Sequence, residues 1–480
     1  MKLNIQGHSF LYEVENTIRL FFPGEKLEQT QQNADITAIM QHNDIDVHLF
    51  ANVFGESAET TIAQNLDDQD YEFALCTLLF HLLCKRTGAR PPWGVLTGVR
   101  PVRLVHPLLE AGFSNDEVVE YFAKRYQTEK SKALLAVQTA RAEQKLLTGN
   151  NSKAFSLYIG IPFCPTRCLY CSFISQAVKQ TNKLMPEFTE YLQKELLLIA
   201  DIVRKCGLLL QTIYIGGGTP TTLSTKQLAQ IMNTVSANFD FSNLLEYTVE
   251  AGRPDTLLGE SGKEKLSVIR EYGADRISIN PQTMNDAVLH KIGRAHTGAH
   301  TIAAYESARK AGYNIINMDV IAGLPTDTPE SFMSTIEQVQ ALAPENITVH
   351  TLTVKRSSDL RDAPDAFVQS GDISSLLDES RDQLLKAGYE SYYLYRQKGT
   401  RQNLENVGYA KPGCESRYNV YIMEEVHTIL AAGAGGVTKL CMPPNKIQRV
   451  FNFKYPHEYI ARFDEIISRK AAIRSFYESY

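Results

Sequence analysis

The sequence predicts an α/β chain: an incomplete (β/α)6 barrel, with an α+β module before it and a helical or mixed extension after it. Three observations carry this prediction. Six short apolar runs alternate with helical stretches between residues 156 and 352. The first 150 residues lack that alternation, and beyond about residue 365 it fades. Strands joined through helices must run parallel, because a parallel connection needs a dozen or more residues.

In the first segment, Leu3 and Ile5 alternate with polar residues, and Phe10 to Phe22 reads as a short helix. Ile45, Val47 and Leu49 alternate again before a helix over Tyr71 to Arg86, which makes a small α+β module. RPPWGVLTGVRPVRLVHP follows, rich in proline and arginine and holding the single tryptophan, Trp93. It reads as a strap between modules. Two helices come next, the second through SKALLAVQTARAEQKLLT and stopping near Gly149 and Asn150.

The barrel strands are SLYIGIP (156–162), TIYIGG (212–217), EYTVEA (246–251), DRISIN (275–280), IINMDVIAG (315–323) and ITVHTL (347–352). Their apolar, β-branched runs suit strands covered on both faces. Helices such as PEFTEYLQKELLLIADIVRKCG and TGAHTIAAYESARKAG separate them. Ligands in such folds sit at the carboxyl ends of the strands. The expected division is 1–150, 151–365 for the barrel, and 366–480 for an extension that covers the substrate. YESYYLYRQKGTRQN makes that extension aromatic-rich, and Tyr455 to Tyr480 reads as helical.

Composition narrows the function classes. The 480 residues are 44% hydrophobic and 21% charged, and 49 basic against 54 acidic residues leave a net charge of −5. That is a globular composition without the basic surface a nucleic-acid partner needs. ELLLIADIVRKCGLLL is broken by Asp201, Arg204 and Lys205, so no membrane span is expected. Eight cysteines are too few for a disulfide scaffold, and a reducing cytoplasm is the expected location.

Three of those cysteines, Cys164, Cys168 and Cys171, form C-x3-C-x2-C in GIPFCPTRCLYC at the end of the first barrel strand. A structural zinc site would need a fourth donor, and no nearby CxxC or HxxxH supplies one. A [4Fe–4S] cluster on three thiolates keeps one iron open, which S-adenosyl-L-methionine can chelate through its amino and carboxylate groups. Cys76, Cys84 and Cys206 read as small core residues, while Cys414 in GCESR is a minor redox candidate.

The second strand ends in Gly216-Gly217-Gly218-Thr219-Pro220, where missing side chains let the backbone approach a ligand. A tight turn would need glycines as well. Glu250, Gln282, Arg294 and Asp319 each stand at or near a strand's carboxyl end, placed for a ribose or an ammonium group. LAAGAGGVTK (429–438) lacks the G-x-G-x-x-G spacing, and EEVHTIL before it reads as helix, so no dinucleotide site is expected there.

YIGIPFCPTRCLYCSF, GGGTPT, TVEAGRPDT, RISINPQT, HKIGRAH and MDVIAGLPTDT resemble the radical SAM family of oxygen-independent coproporphyrinogen III oxidases, the coproporphyrinogen dehydrogenases, in its HemZ-like branch. The likeness covers roughly 155 to 440 and implies a radical SAM barrel. It implies Cys164, Cys168 and Cys171 on the cluster. Around S-adenosyl-L-methionine it implies Tyr158, Tyr170, Gly217, Gly218, Thr219, Glu250, Gln282, Arg294 and Asp319. A second S-adenosyl-L-methionine, and an electron donor such as flavodoxin or ferredoxin, belong to the same implication.

The implied reaction converts coproporphyrinogen III to protoporphyrinogen IX in haem biosynthesis without oxygen. A 5′-deoxyadenosyl radical takes a β-hydrogen from a propionate, an electron leaves to an acceptor, and carbon dioxide departs to leave a vinyl group. Arg253, Lys355, Arg356, Arg396, Arg401 and Arg417 are candidate cations for the four substrate carboxylates. Tyr392, Tyr393, Tyr395, Tyr409, Tyr418 and Tyr421 are candidates to pack on the tetrapyrrole, with core packing the commoner use. Where the best-described family enzymes carry a further cysteine, this chain has Phe173, as the related haem chaperones do, and NPQ replaces the usual GVQ before Gln282. The alternative is therefore a haem-binding chaperone-like protein without decarboxylase activity, and a radical enzyme for another substrate is a third option.

Overall fold

The structure is a computed structural model that describes residues 1–148, 151–173, 176–355, 358–362, 372–397, 401–442 and 446–479. The helix stop expected at Gly149 and Asn150, and the cation Arg356, lie outside the described residues. The chain divides into two compact units, Met1–Ala140 with Leu394–Glu405, and Arg141–Tyr393 with Asn406–Tyr480.

The first unit holds a five-stranded sheet in the order β2-β1-β3-β4-β5. Its strands are β1 (Lys2–Gln6), β2 (Glu28–Gln29), β3 (Ile36–His42), β4 (Asp46–Val53) and β5 (Glu56–Ala63). On β4 every second residue is buried, so Val47, Leu49, Ala51 and Val53 face one side. That side packs on Val14 and Ile18 of the helix Leu11–Phe21 and on Leu75, Leu79 and Leu83 of the helix Asp68–Thr87. Asp67 caps the longer helix by accepting from the Asp70 amide, and Gly88 ends it in the left-handed region. The stretch read as a strap lies inside this unit, and part of it is the helix Val102–Glu110. Trp93 is buried and donates Nε1 to Glu405 Oε2 at 2.7 Å, while Lys132 Nζ donates to Glu405 Oε1 at 2.8 Å.

The second unit is built on an eleven-stranded sheet in the order β14-β15-β13-β12-β11-β10-β9-β6-β16-β17-β18. Its six central strands are those expected: β6 (Ala154–Ile161), β9 (Leu209–Gly217), β10 (Glu246–Glu250), β11 (Arg276–Ser278), β12 (Ile315–Ala322) and β13 (Asn346–Thr351). Each pairs in parallel with the next. Between β6 and β9 lie the two-residue strands β7 (Phe163–Cys164) and β8 (Gln176–Ala177), paired with each other. Helices fill the crossovers, among them Met185–Cys206, Thr225–Asn238 and Gly259–Glu271. Ser224 starts the second of these with a capping box to Gln227.

The barrel is incomplete: β6 and β13 do not meet, and the extension lines both. On one side β15 (Glu405–Ala410) runs antiparallel to β13, with β14 (Glu390–Arg396) beyond it. On the other, β16 (Thr428–Gly433) pairs in parallel with β6, followed by antiparallel β17 (Val437–Met442) and β18 (Lys446–Phe451). EEVHTIL, expected as helix, is a correction: the helix Arg417–Glu424 ends within it, and Thr428 already belongs to β16. The chain closes with helices Pro456–Ala461 and Phe463–Glu478. Among the described residues no helix is long and apolar enough to cross a membrane.

Candidate functional site

Cys164 ends β7, just beyond the carboxyl end of β6, and the chain turns so that the Cys171 amide bonds to the Cys168 carbonyl at 3.0 Å. Contacts from outside fix this loop. The Leu169 amide donates to the Ile292 carbonyl at 3.0 Å, and Thr166 Oγ1 donates to the Gly293 carbonyl at 2.8 Å. Arg253 donates Nη2 to Thr166 Oγ1 at 2.9 Å, with Nη1 3.7 Å from Cys168 Sγ. Thr219, at the end of the glycine run, donates its hydroxyl to Cys164 Sγ at 3.5 Å. Thiols, a donor hydroxyl and a guanidinium around one loop suit an anionic iron–sulfur cluster on three thiolates.

The glycines are needed for close approach. The Gly218 amide bonds to the Ile161 carbonyl at 2.7 Å, and a Cβ there would lie 2.6 Å from the Phe163 carbonyl oxygen. Gly217 sits at φ +108°, open to glycine and costly for other residues. The run thus lays bare backbone against the cysteine loop.

Strand register brings the other predicted residues to this end. Tyr158 on β6 pairs with Tyr214 on β9, which pairs with Thr248 on β10, and Glu250 lies two residues further along the same face. Tyr158, Tyr214 and Tyr418 stack in a pile, with Tyr214 and Tyr418 ring centres 4.4 Å apart. Tyr214 donates its hydroxyl to Glu250 Oε1 at 2.5 Å. Burial, reinforced by the charge of Asp319, pushes the Glu250 carboxyl up to about 7 despite that bond. Asp319 goes the other way. Burial opposes its ionisation, but His350, Asn317 and Thr348 outweigh it and hold the carboxyl below its usual range.

Gln282 sits at φ +69°, and its backbone bridges to β12 through the Asp319 carbonyl and the Ile321 amide, each at 2.9 Å. Its Oε1 is buried without a hydrogen-bond partner, so a ligand donor would answer an unmet acceptor. Arg294 is buried and ties strand ends together, donating Nη1 to the Asn280 carbonyl at 2.5 Å and Nη2 to the Gly252 carbonyl at 3.2 Å. Tyr170 packs half-buried against Leu289, Ile292 and Leu360.

Register also gathers residues that sequence reasoning missed. Asn317 donates to Ser278 Oγ at 2.7 Å and to Asp319 Oδ1 at 2.8 Å, and Thr348 donates to Asn317 Oδ1 at 3.2 Å. Every second residue being polar on otherwise apolar strands is the one sequence sign of this inner network.

Several candidates are placed elsewhere. Arg396 lies in the first unit, bonding to the carbonyls of Leu96 and Asn403 and standing over Trp93, so it is a structural cation. Arg253 is turned inward onto the cysteine loop. The Arg417 amide bonds to Glu246, which opens β10, so Arg417 lies at the amino end of the sheet, opposite the cysteines. Lys355 is exposed beyond the carboxyl end of β13, and the side chain of Arg401 is outside the described residues. Tyr392, Tyr393, Tyr409, Tyr418 and Tyr421 are all buried, with Tyr421 stacked on His427. Cys414 is far from the cluster loop in role, because its carbonyl accepts from Arg276 and Asn346 at the sheet's amino end. Burial pushes the thiols of Cys76, Cys84, Cys206 and Cys414 up, Cys76 to about 12. Phe173 is 71% exposed just after the third cysteine.

Residues 158–339 match the Radical SAM superfamily. The oxygen-independent coproporphyrinogen-III oxidase-like protein HemZ of Bacillus subtilis is 38% identical over 396 residues, 81% of this chain and 78% of that protein. The heme chaperone HemW of Haemophilus influenzae is 30% identical over 308 residues, 64% of this chain and 75% of HemW. The oxygen-independent coproporphyrinogen III oxidase of Pseudomonas aeruginosa is 29% identical over 242 residues, 49% of this chain and 50% of that enzyme. The cofactors of this superfamily are a [4Fe–4S] cluster and S-adenosyl-L-methionine, and the thiol loop, bare glycine backbone and unmet Gln282 acceptor fit them. The chain belongs to the radical SAM superfamily, in the group of HemZ and its relatives.

Proposed function

We propose that the chain carries out the oxygen-independent oxidative decarboxylation of coproporphyrinogen III to protoporphyrinogen IX, as a radical SAM oxidoreductase of the reducing cytoplasm. The observation that carries this reading is the cradle at the strand ends, where Gln282 Oε1 is buried without a partner and the carboxylates of Glu250 and Asp319 act on each other. An unmet buried polar atom costs about 1–3 kcal/mol, so the cradle supports a bound S-adenosyl-L-methionine and with it radical chemistry.

In this reading Cys164, Cys168 and Cys171 hold the cluster. Gly217 and Gly218 present backbone to the methionine part of S-adenosyl-L-methionine, and Thr219 steadies Cys164. Glu250 and Asp319 accept from ribose hydroxyls or the ammonium, while Arg294 keeps the ends of β10 and β11 together. Tyr158, Tyr170 and Gln282 complete the walls. When bound, the two cofactors supply the hydrogen-abstracting radical that an unactivated propionate C–H requires. Tyr214 orients Glu250 and is itself stacked on Tyr418. Lys355, exposed at the carboxyl end of the sheet, meets a substrate carboxylate. Residues 366–480 serve as the substrate-covering extension, and 1–150 as an accessory module.

The second reading, a haem-binding chaperone, is favoured by Phe173 and by the likeness to HemW. Anaerobic reconstitution followed by assay with coproporphyrinogen III separates the two. The enzyme reading expects 5′-deoxyadenosine and a vinyl product. Tight haem binding with no loss of carboxylate would overturn it, and 5′-deoxyadenosine without consumption of coproporphyrinogen would point to another substrate.

A further inference from the structure

Arg253 has a role that no loop arginine at the protein surface could play. It follows the carboxyl end of β10 by three residues and is 2% exposed. Two of its nitrogens grip Thr166, at 3.2 Å to the carbonyl and 2.9 Å to the hydroxyl, and Thr166 is pinned in turn to the Gly293 carbonyl. The grip leaves Nη1 3.7 Å from Cys168 Sγ. Its counter-charge is Asp255, whose Oδ1 lies 3.5 Å from Nε and 3.8 Å from His296 Nδ1. Burial drives His296 far below its usual range, so the imidazole is neutral and adds no charge. Arg294 also acts on Cys168.

We infer that Arg253 is a positioning residue that raises the reduction potential of the cluster held through Cys168. This rests on the reading of Cys168 as a ligand. A [4Fe–4S] centre on three thiolates is anionic and gains one more negative charge on reduction. A buried guanidinium donating to a ligand sulfur stabilises the reduced form more than the oxidised one, since charge and hydrogen bonds to sulfur set such potentials. Asp255 opposes the effect, so the two side chains bracket the potential from either side.

The test is an anaerobic redox titration of the reconstituted full chain, followed by electron paramagnetic resonance, with iron counted in each sample. Arg253→Gln should keep its iron and lose at least tenfold in the ratio of reduced to oxidised cluster at a fixed potential, equal to about 59 mV for one electron. Arg253→Lys keeps the charge and should recover most of that loss. Asp255→Asn should shift the ratio the opposite way, which keeps the inference open to failure even where Arg253→Gln does not assemble a cluster. Full iron with an unchanged potential in Arg253→Gln, or an unchanged potential in Asp255→Asn, overturns the inference. A wild-type chain that binds no four-iron cluster at Cys168 overturns the ligand reading itself.

Discussion

Two glutamates in the second unit, one buried and one half-buried, show how differently one fold treats a carboxylate. Glu195 is saturated. Its Oε1 accepts from Asn452 at 2.8 Å and lies 3.0 Å from Lys470 Nζ, and its Oε2 accepts from the Gly433 amide at 2.8 Å and Tyr459 at 2.6 Å. Glu250 has Tyr214 and backbone, with Asp319 adding a second negative charge, and its carboxyl sits near 7. The first is a joint between β16 and the helix Met185–Cys206, complete without any ligand. The second is held short of completion, which is what a site awaiting hydroxyl or ammonium donors requires.

That contrast can be broken at several points. The largest effect is expected at the open end: Cys168→Ala should abolish the brown iron–sulfur absorbance, and a variant that still holds four irons would refute the ligand assignment. At the closed end, Lys470→Met strands the Glu195 charge in the core, for a loss of about 3–5 kcal/mol in urea unfolding. A loss under about 1 kcal/mol would mean that Glu195 is no better satisfied than Glu250. Tyr214→Phe removes one donor to Glu250, so calorimetry on the reconstituted protein should show S-adenosyl-L-methionine binding roughly tenfold weaker, since hydrogen bonds to charged groups contribute about 1.5–3 kcal/mol. Unchanged affinity would free Glu250 of any dependence on Tyr214.

The most gradual effect is in pH dependence. Glu250 is raised in the folded chain, so it favours folding while protonated. Its contribution is full below about pH 4.5 and is lost as pH rises through about 7. Relative to Glu250→Gln, the wild-type chain should therefore lose stability between pH 5 and 7, by no more than about 3 kcal/mol. Melting curves with the same pH slope in both proteins would remove Glu250 as the titrating group.

The central strands were legible because a parallel strand buried on both faces writes a largely apolar run, as in ITVHTL. The cysteine loop was legible from spacing alone. The inner network was not, because Ser278, Asn317 and Thr348 meet only through register between strands. The flanking strands were missed for local reasons. Tyr392-Tyr393-Leu394-Tyr395 has no alternation to read, and the helix before β16 is stopped by Glu425 at φ +55°, a conformation for which a sequence usually shows glycine. Arg253 and Arg396 read as cations open to a substrate because only tertiary partners can bury a guanidinium.

The pairing of β16 with β6 sets an order on assembly. Thr428 lies opposite Phe155, and 428 − 155 puts the two partners 273 positions apart in the chain. The strand that leads into the cysteine loop therefore has one open edge until residues near 430 have left the ribosome, and long-range pairing of this kind is slow. An unsheathed edge next to three free thiols is exposed both to wrong strand partners and to oxidation. A chain cut short before β16 would carry the whole cysteine motif without a finished wall to hold it.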